Sequence, residues 1–189
     1  MIRLVLLVVV FLFPVSEVTL GVLKRSSSRS AKSDDRGSLV LFWLSIALGI
    51  GLASVARGIP STRLPGPPET IQLLSLGLLL VGLALRWTAI LTLGRLFTVD
   101  VAIHSGHVVV QAGLYRLVRH PSYTGALVAF VGLGLFFANW LSVAGLLVPI
   151  VLGVLNRVRK EEQALLRSSL GSEYAAYCAR TKRFIPGLI

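Results

Sequence analysis

The stretch Tyr123–Asn156, YTGALVAFVGLGLFFANWLSVAGLLVPIVLGVLN, runs for 34 residues without a charge. As a single α-helix it would extend about 50 Å, well beyond a hydrocarbon core of about 30 Å. The chain must therefore cross a bilayer and return. Asn139 is the one strongly polar residue in the middle of the run, and Trp140 beside it is of the type that settles at membrane interfaces. The spacing thus predicts two short helices, about 121–138 and 141–158, joined in a tight hairpin at Asn139. Such a hairpin brings its two ends to the same membrane face. The polar clusters RHPSY (119–123) and NRVRKEE (156–162), distant in sequence, then become neighbours.

The rest of the chain has the same character. Hydrophobic residues make up 54% of the 189 positions, and charged ones 14%. A soluble domain averages about 25% charged residues, so the composition indicates an integral membrane protein. Apolar blocks at 4–23, about 38–56 and about 70–94 supply three more helices, giving five transmembrane helices in an all-α fold. The alternative for the first block is a cleaved signal peptide. PVSEVTLGVLKR has no A-x-A site and stays apolar to Leu23, which favours a retained helix. Lys24 to Gly37 reads as a Ser-rich polar loop, and RGIPSTRLPGPPE (57–69) as a Pro/Gly loop.

The formal net charge of +11 would suggest nucleic acid in a soluble protein. Here the basic residues cluster between apolar blocks, so orientation and contact with anionic membrane lipids explain them, with no nucleic-acid partner. Loop 24–37 carries five basic residues (Lys24, Arg25, Arg29, Lys32, Arg36) and the tail from Arg157 is rich in them, whereas loop 57–69 has two, Arg57 and Arg63. The positive-inside rule then makes loop 24–37, segment 95–120 and the tail cytoplasmic, with the N-terminus outside. Two regions follow: 1–94, with three transmembrane helices, and 95–189, with the hairpin, a C-terminal cytoplasmic helix and the chemistry.

Pro121 disfavours a helical His120, so His120-Pro121 reads as a helix start with proline at its first position. The unpaired first-turn amides favour a negative group. Arg119 stands just outside, and anchoring of a helix end at the headgroups would explain Arg119 and His120 equally well. Arg157 lies immediately beyond the apolar run, where a charge is costly without a partner or ligand. It shares a helix face with Glu161, and Val158 shares one with Glu162. A cation and two carboxylates beside a helix start suit a zwitterionic ligand. His104-x-x-His107 lacks the further partner that a metal site needs, so no metal is expected. Arg86-Trp87 reads as interfacial snorkelling, and Cys178 as an inert thiol. Gly171 is expected to end one helix and Ser172 to cap the next, whose Tyr174 and Tyr177 share a face.

HVVVQAGLYRLVRHPSYTG, the Asn139 turn, NRVRKEEQALL and LGSEYAAYCARTKRFIP together resemble the isoprenylcysteine carboxyl methyltransferases, in their compact prokaryotic form, over about residues 95–186. The resemblance implies methyl transfer from S-adenosylmethionine to the carboxylate of a lipophilic, prenylcysteine-like acceptor that enters from the bilayer. It implies cofactor contacts from His107, Val108, Val109, Val110, Tyr115, His120, Pro121, Ser122, Tyr123 and Glu161 at a cytoplasmic site. It assigns Arg157 to the substrate carboxylate, and leaves the role of Asp100 open. Sideways entry of the acceptor is expected between helices bearing Gly125, Gly132, Gly134 and Gly145. Rival readings keep the cofactor but take a phospholipid amine or a small thiol, or replace it with NADPH in a membrane reductase.

Overall fold

The computed structural model of the chain describes residues 2–23, 29–97 and 108–188. Among these it is helical, with six α-helices: α1 (Ile2–Leu23), α2 (Arg29–Ala56), α3 (Pro68–Leu93), α4 (Pro121–Phe136), α5 (Trp140–Leu166) and α6 (Gly171–Arg180). The apolar segments Gly37–Ala56, Pro68–Leu96 and Trp140–Leu166 are long enough to cross a membrane. Leu4–Leu20 and Pro121–Phe136 are apolar but shorter. The protein is an integral membrane protein.

The hairpin turns where the sequence places it. Asn139 caps α5 by accepting from the Ser142 amide at 3.0 Å, and its own amide donates to the Ile59 carbonyl (3.1 Å) and Thr62 Oγ1 (2.8 Å). Ala138 takes a positive φ of 50° to make the reversal. The turn is therefore locked onto the 57–69 loop as well as onto α5, and Asn139 is 1% exposed.

The arms of the hairpin lean outward. The most extensive helix contacts are α4 on α3 and α5 on α2. Glycine explains the first of these. A Cβ at Gly125 would lie 2.5 Å from the Arg86 amide nitrogen, and one at Gly132 would lie 2.7 Å from that of Leu79. The two backbones meet directly there, as small residues permit in membrane helices. Ser75 reinforces the seam by donating to the Gly132 carbonyl (2.8 Å), and Ser142 ties α5 to the Ala53 carbonyl on α2 (2.7 Å). Phe13 of α1 meets Phe130 of α4 edge-on at 5.1 Å, at the centre of a core with Leu79, Leu146 and Ile150.

Three expectations change. The polar stretch 24–37 is not a loop throughout, since α2 starts at Arg29; residues 29–36 include no proline to stop a helix extending beyond its apolar part. Helix α5 does not stop near 158 but runs on through RVRKEEQALL to Leu166. At α6, Leu170 and not Ser172 holds the cap position, without a side-chain bond. Gly171 opens that helix, because a side chain there would run into the Leu166 carbonyl.

Candidate functional site

The extension of α5 carries the site. Continuing the helix past the apolar run brings Arg157 and Glu161, one turn apart, to the same cavity as the start of α4. Val108, Val109, Val110, Tyr115, His120, Ser122 and Tyr123 line it with them. Nine of the expected site residues thus converge. Pro121 does not face the cavity; it is buried as the first residue of α4 and sets where that helix begins. His107 and Asp100 lie outside the described residues, as does His104.

A third wall comes from the C-terminal region. The Arg119 and His120 amides donate to the Lys182 and Arg183 carbonyls at 2.7 and 3.0 Å, and Thr124 Oγ1 donates to the Phe184 carbonyl at 3.0 Å. Residues 181–184 form a strap along 118–120. Helix α6 above it contributes Tyr174 and Tyr177 to the cavity. The Tyr177 hydroxyl donates to the Tyr115 carbonyl at 2.5 Å. Burial pushes that phenol up to about 12, so it remains a donor. Burial and then the nearby Glu161 carboxylate push the Tyr115 phenol above its ordinary range too.

The adjacent glutamates face different surroundings. Glu161 lines the cavity, whereas Glu162 is buried in a knot of cations. Its carboxylate accepts from Arg119 Nε (3.1 Å) and from Arg183 Nη2 (2.6 Å) and Nε (3.0 Å), and stands 3.2 Å from His120 Nε2. Arg119 also donates to the carbonyls of Cys178 and Thr181. It is neither a headgroup anchor nor a free cation. It fastens α6 and the strap to the start of α4.

Snorkelling does not describe Arg86. It is 8% exposed, pairs with Glu17 of α1 through two 2.5 Å bonds, and donates to Ser122 Oγ at 2.9 Å. Both side chains line the cavity beside Ser122. Glu17 is the lone acid of the first apolar block and Arg86 the lone cation within the third. Two opposite charges at membrane depth need each other, so that pairing could have been read from the sequence.

The remaining lining is apolar: Leu20 on α1, Leu39, Phe42 and Trp43 on α2, Leu93 on α3 with Leu96 and Phe97 after it, and Leu165 on α5. The glycines expected to flank a lateral entrance do not line this cavity. Gly125 and Gly132 are filled by the α3 backbone, Gly134 abuts Val143, and Gly145 abuts Leu52. Polar groups thus enter the cavity from α4, α5, α6 and the Glu17–Arg86 pair, and apolar ones chiefly from α2 and the end of α3.

The family model of the isoprenylcysteine carboxyl methyltransferases matches residues 75–167, from mid-α3 to the end of α5. Over that stretch the chain is similar to the isoprenylcysteine carboxyl methyltransferase family. Among its methyltransferase relatives, protein-S-isoprenylcysteine O-methyltransferase B of Arabidopsis thaliana is 33% identical over 113 residues, 59% of this chain and 57% of that one. The Schizosaccharomyces pombe protein-S-isoprenylcysteine O-methyltransferase is 31% identical over 159 residues, covering 77% and 66%. A solved eukaryotic intramembrane Ras methyltransferase, isoprenylcysteine carboxyl methyltransferase, superposes with a TM-score of 0.55 at 26% identity, covering 86% of this chain and 54% of that one. The chain spans less than two thirds of the length of these methyltransferases.

Proposed function

We propose that the protein is an S-adenosylmethionine-dependent carboxyl O-methyltransferase acting on a prenylcysteine-like or other lipophilic acid. One observation carries this reading. One cavity is lined both by Arg157, Glu161 and the start of α4 and by apolar side chains of α1, α2 and the end of α3. A polar donor and a lipid-tailed acid need those two environments within reach of each other.

The donor set fits S-adenosylmethionine. Glu161 offers an acceptor for an amine or ribose hydroxyls. Ser122 and Tyr123 belong to the first turn of α4, whose amides favour a carboxylate. Val108–Val110 and Tyr115 supply backbone and ring surface. The buried, unbonded hydroxyl of Tyr174 marks a polar contact that the protein alone does not complete. When bound, the cofactor supplies an electrophilic methyl group on a sulfonium.

Arg157 would hold the acceptor carboxylate at the same cavity. A guanidinium carries five donors, so the bond from Nη1 to Ser38 Oγ (3.1 Å) is compatible with gripping a carboxylate as well. The carboxylate arrives ionised, so no general base is required. Alignment and the removal of water make the rate. Leu39, Phe42 and Trp43 shelter the tail. Arg157 favours an acid over an amine acceptor, since a cation does not help to bind another cation.

The same reading places five spans in the membrane, with α1 and α4 as the short ones packed on α3. The cavity end of α5 then faces the cytoplasm and the N-terminus lies outside. Tritiated-methyl transfer from S-adenosylmethionine to N-acetyl farnesylcysteine, beside phosphatidylethanolamine and a small thiol, tests the activity. Transfer to the farnesylcysteine alone is expected. Calorimetry that shows binding of NADPH and none of S-adenosylhomocysteine at millimolar concentration overturns the proposal. Single cysteines at Ser61 and Ser172, in a Cys178→Ala background, are expected to be labelled from opposite membrane sides, Ser172 from the cytoplasm. Same-side labelling removes the topology.

A further inference from the structure

Tyr174 and Tyr177 stand three residues apart on α6, both 3% exposed, with ring centroids 6.0 Å apart. Their hydroxyls differ. That of Tyr177 is spent on the Tyr115 carbonyl. That of Tyr174 is the one buried side-chain polar atom without a hydrogen-bond partner among the described residues. A phenylalanine would fill the same space without burying an unsatisfied hydroxyl, a burial that ordinarily weighs against a fold. Tyr174 also lines the cavity, as do Glu161, Tyr115 and Arg119.

We propose that the Tyr174 hydroxyl is a ligand contact, donating a hydrogen bond to an acceptor atom of the methyl donor bound in the cavity. This inference rests on the donor reading given above. Burial, followed by the neighbouring carboxylate of Glu162, pushes the phenol above its ordinary range, so it keeps its proton and acts as a donor. Cys178 is the competing partner within the protein, because the phenol acts on its thiol. The pair does not meet hydrogen-bond geometry, however, and a thiol sulfur is a weak acceptor. The seam that holds α6 in place, Tyr177 to Tyr115 and Arg119 to the Cys178 carbonyl, fixes the ring without using its hydroxyl.

The test compares wild type, Tyr174→Phe and Tyr177→Phe, purified in detergent, by S-adenosylhomocysteine calorimetry and by thermal unfolding without ligand. Tyr174→Phe is expected to weaken S-adenosylhomocysteine roughly tenfold while leaving the ligand-free midpoint unchanged or higher. Tyr177→Phe is expected to lower that midpoint, because it breaks a bond the free protein already makes. Wild-type affinity in Tyr174→Phe, within about twofold, overturns the assignment while the donor reading survives. A lowered ligand-free midpoint in Tyr174→Phe also overturns it, by showing that the protein itself satisfies the hydroxyl. If the wild type binds no S-adenosylhomocysteine, the donor reading falls and this inference falls with it.

Discussion

Glu161 and Glu162 are adjacent, identical in type and on one helix, yet replacing each by glutamine should produce opposite phenotypes. The Glu162 carboxylate, 9% exposed as a side chain, receives Arg119 (10% exposed) and Arg183 (41%) and abuts His120. Glutamine keeps the shape but removes the charge and turns an NH2 toward guanidinium donors. Breaking a buried ion pair costs about 3–5 kcal/mol. Two features reduce this. Arg119 retains the Cys178 and Thr181 carbonyls, and the Arg183 contact is partly screened by solvent. A loss of about 2–3 kcal/mol remains, which for a chain of this size lowers the thermal midpoint by about 4–12 °C. Glu161→Gln should hold the midpoint within about 2 °C and weaken S-adenosylhomocysteine at least about tenfold. Thermal unfolding in detergent and calorimetry on both variants read the two effects separately. If Glu161→Gln loses the stability and Glu162→Gln loses the ligand, the division of labour between them is refuted.

Asn139→Ala deletes a helix cap and two further hydrogen bonds at a buried position, so a stability loss of about 2–3 kcal/mol is expected by thermal unfolding; a change below about 0.5 kcal/mol would show that the turn does not depend on them. Arg157→Ala should raise KM for N-acetyl farnesylcysteine at least about tenfold and leave S-adenosylhomocysteine affinity within about twofold, and the reverse pattern would move Arg157 to the cofactor. The Tyr177 phenol titrates at about 12 when folded, against an ordinary 10.0. The unfolded chain therefore releases that proton first, so stability is level below the ordinary value and falls as pH rises from there toward 12. Thermal midpoints across that range should fall less steeply in Tyr177→Phe, and an unchanged slope would discount this group.

The hairpin was legible because it follows from a length that a bilayer cannot accommodate. Asn139 was legible as the turn because one polar residue interrupts 34 uncharged positions. The convergence of His120, Arg157 and Glu161 came with it. The α3–α4 seam was not legible, since Gly82, Gly125 and Gly132 look the same whether they face lipid, a ligand path or another backbone. Helical phase could not separate Glu161 from Glu162 until α4 and α6 were placed around them. The strap at 181–184 had no local signal either. It pairs backbone with residues some sixty positions earlier, and such a contact leaves no periodicity in either segment. The Glu17–Arg86 pair was written in the sequence as two isolated opposite charges, but it required treating the first and third blocks as neighbours.

That strap has a consequence in time. Synthesis delivers α4 and the start of the cavity wall well before residues 181–184 exist, so the Arg119 and His120 amides that these residues bind must first be met by water or other groups. Membrane insertion of the hairpin and completion of the pocket are therefore separate events. The hairpin can be seated in the bilayer while the cavity is still open beside α4, and the pocket is finished only when residues 181–184 fold back.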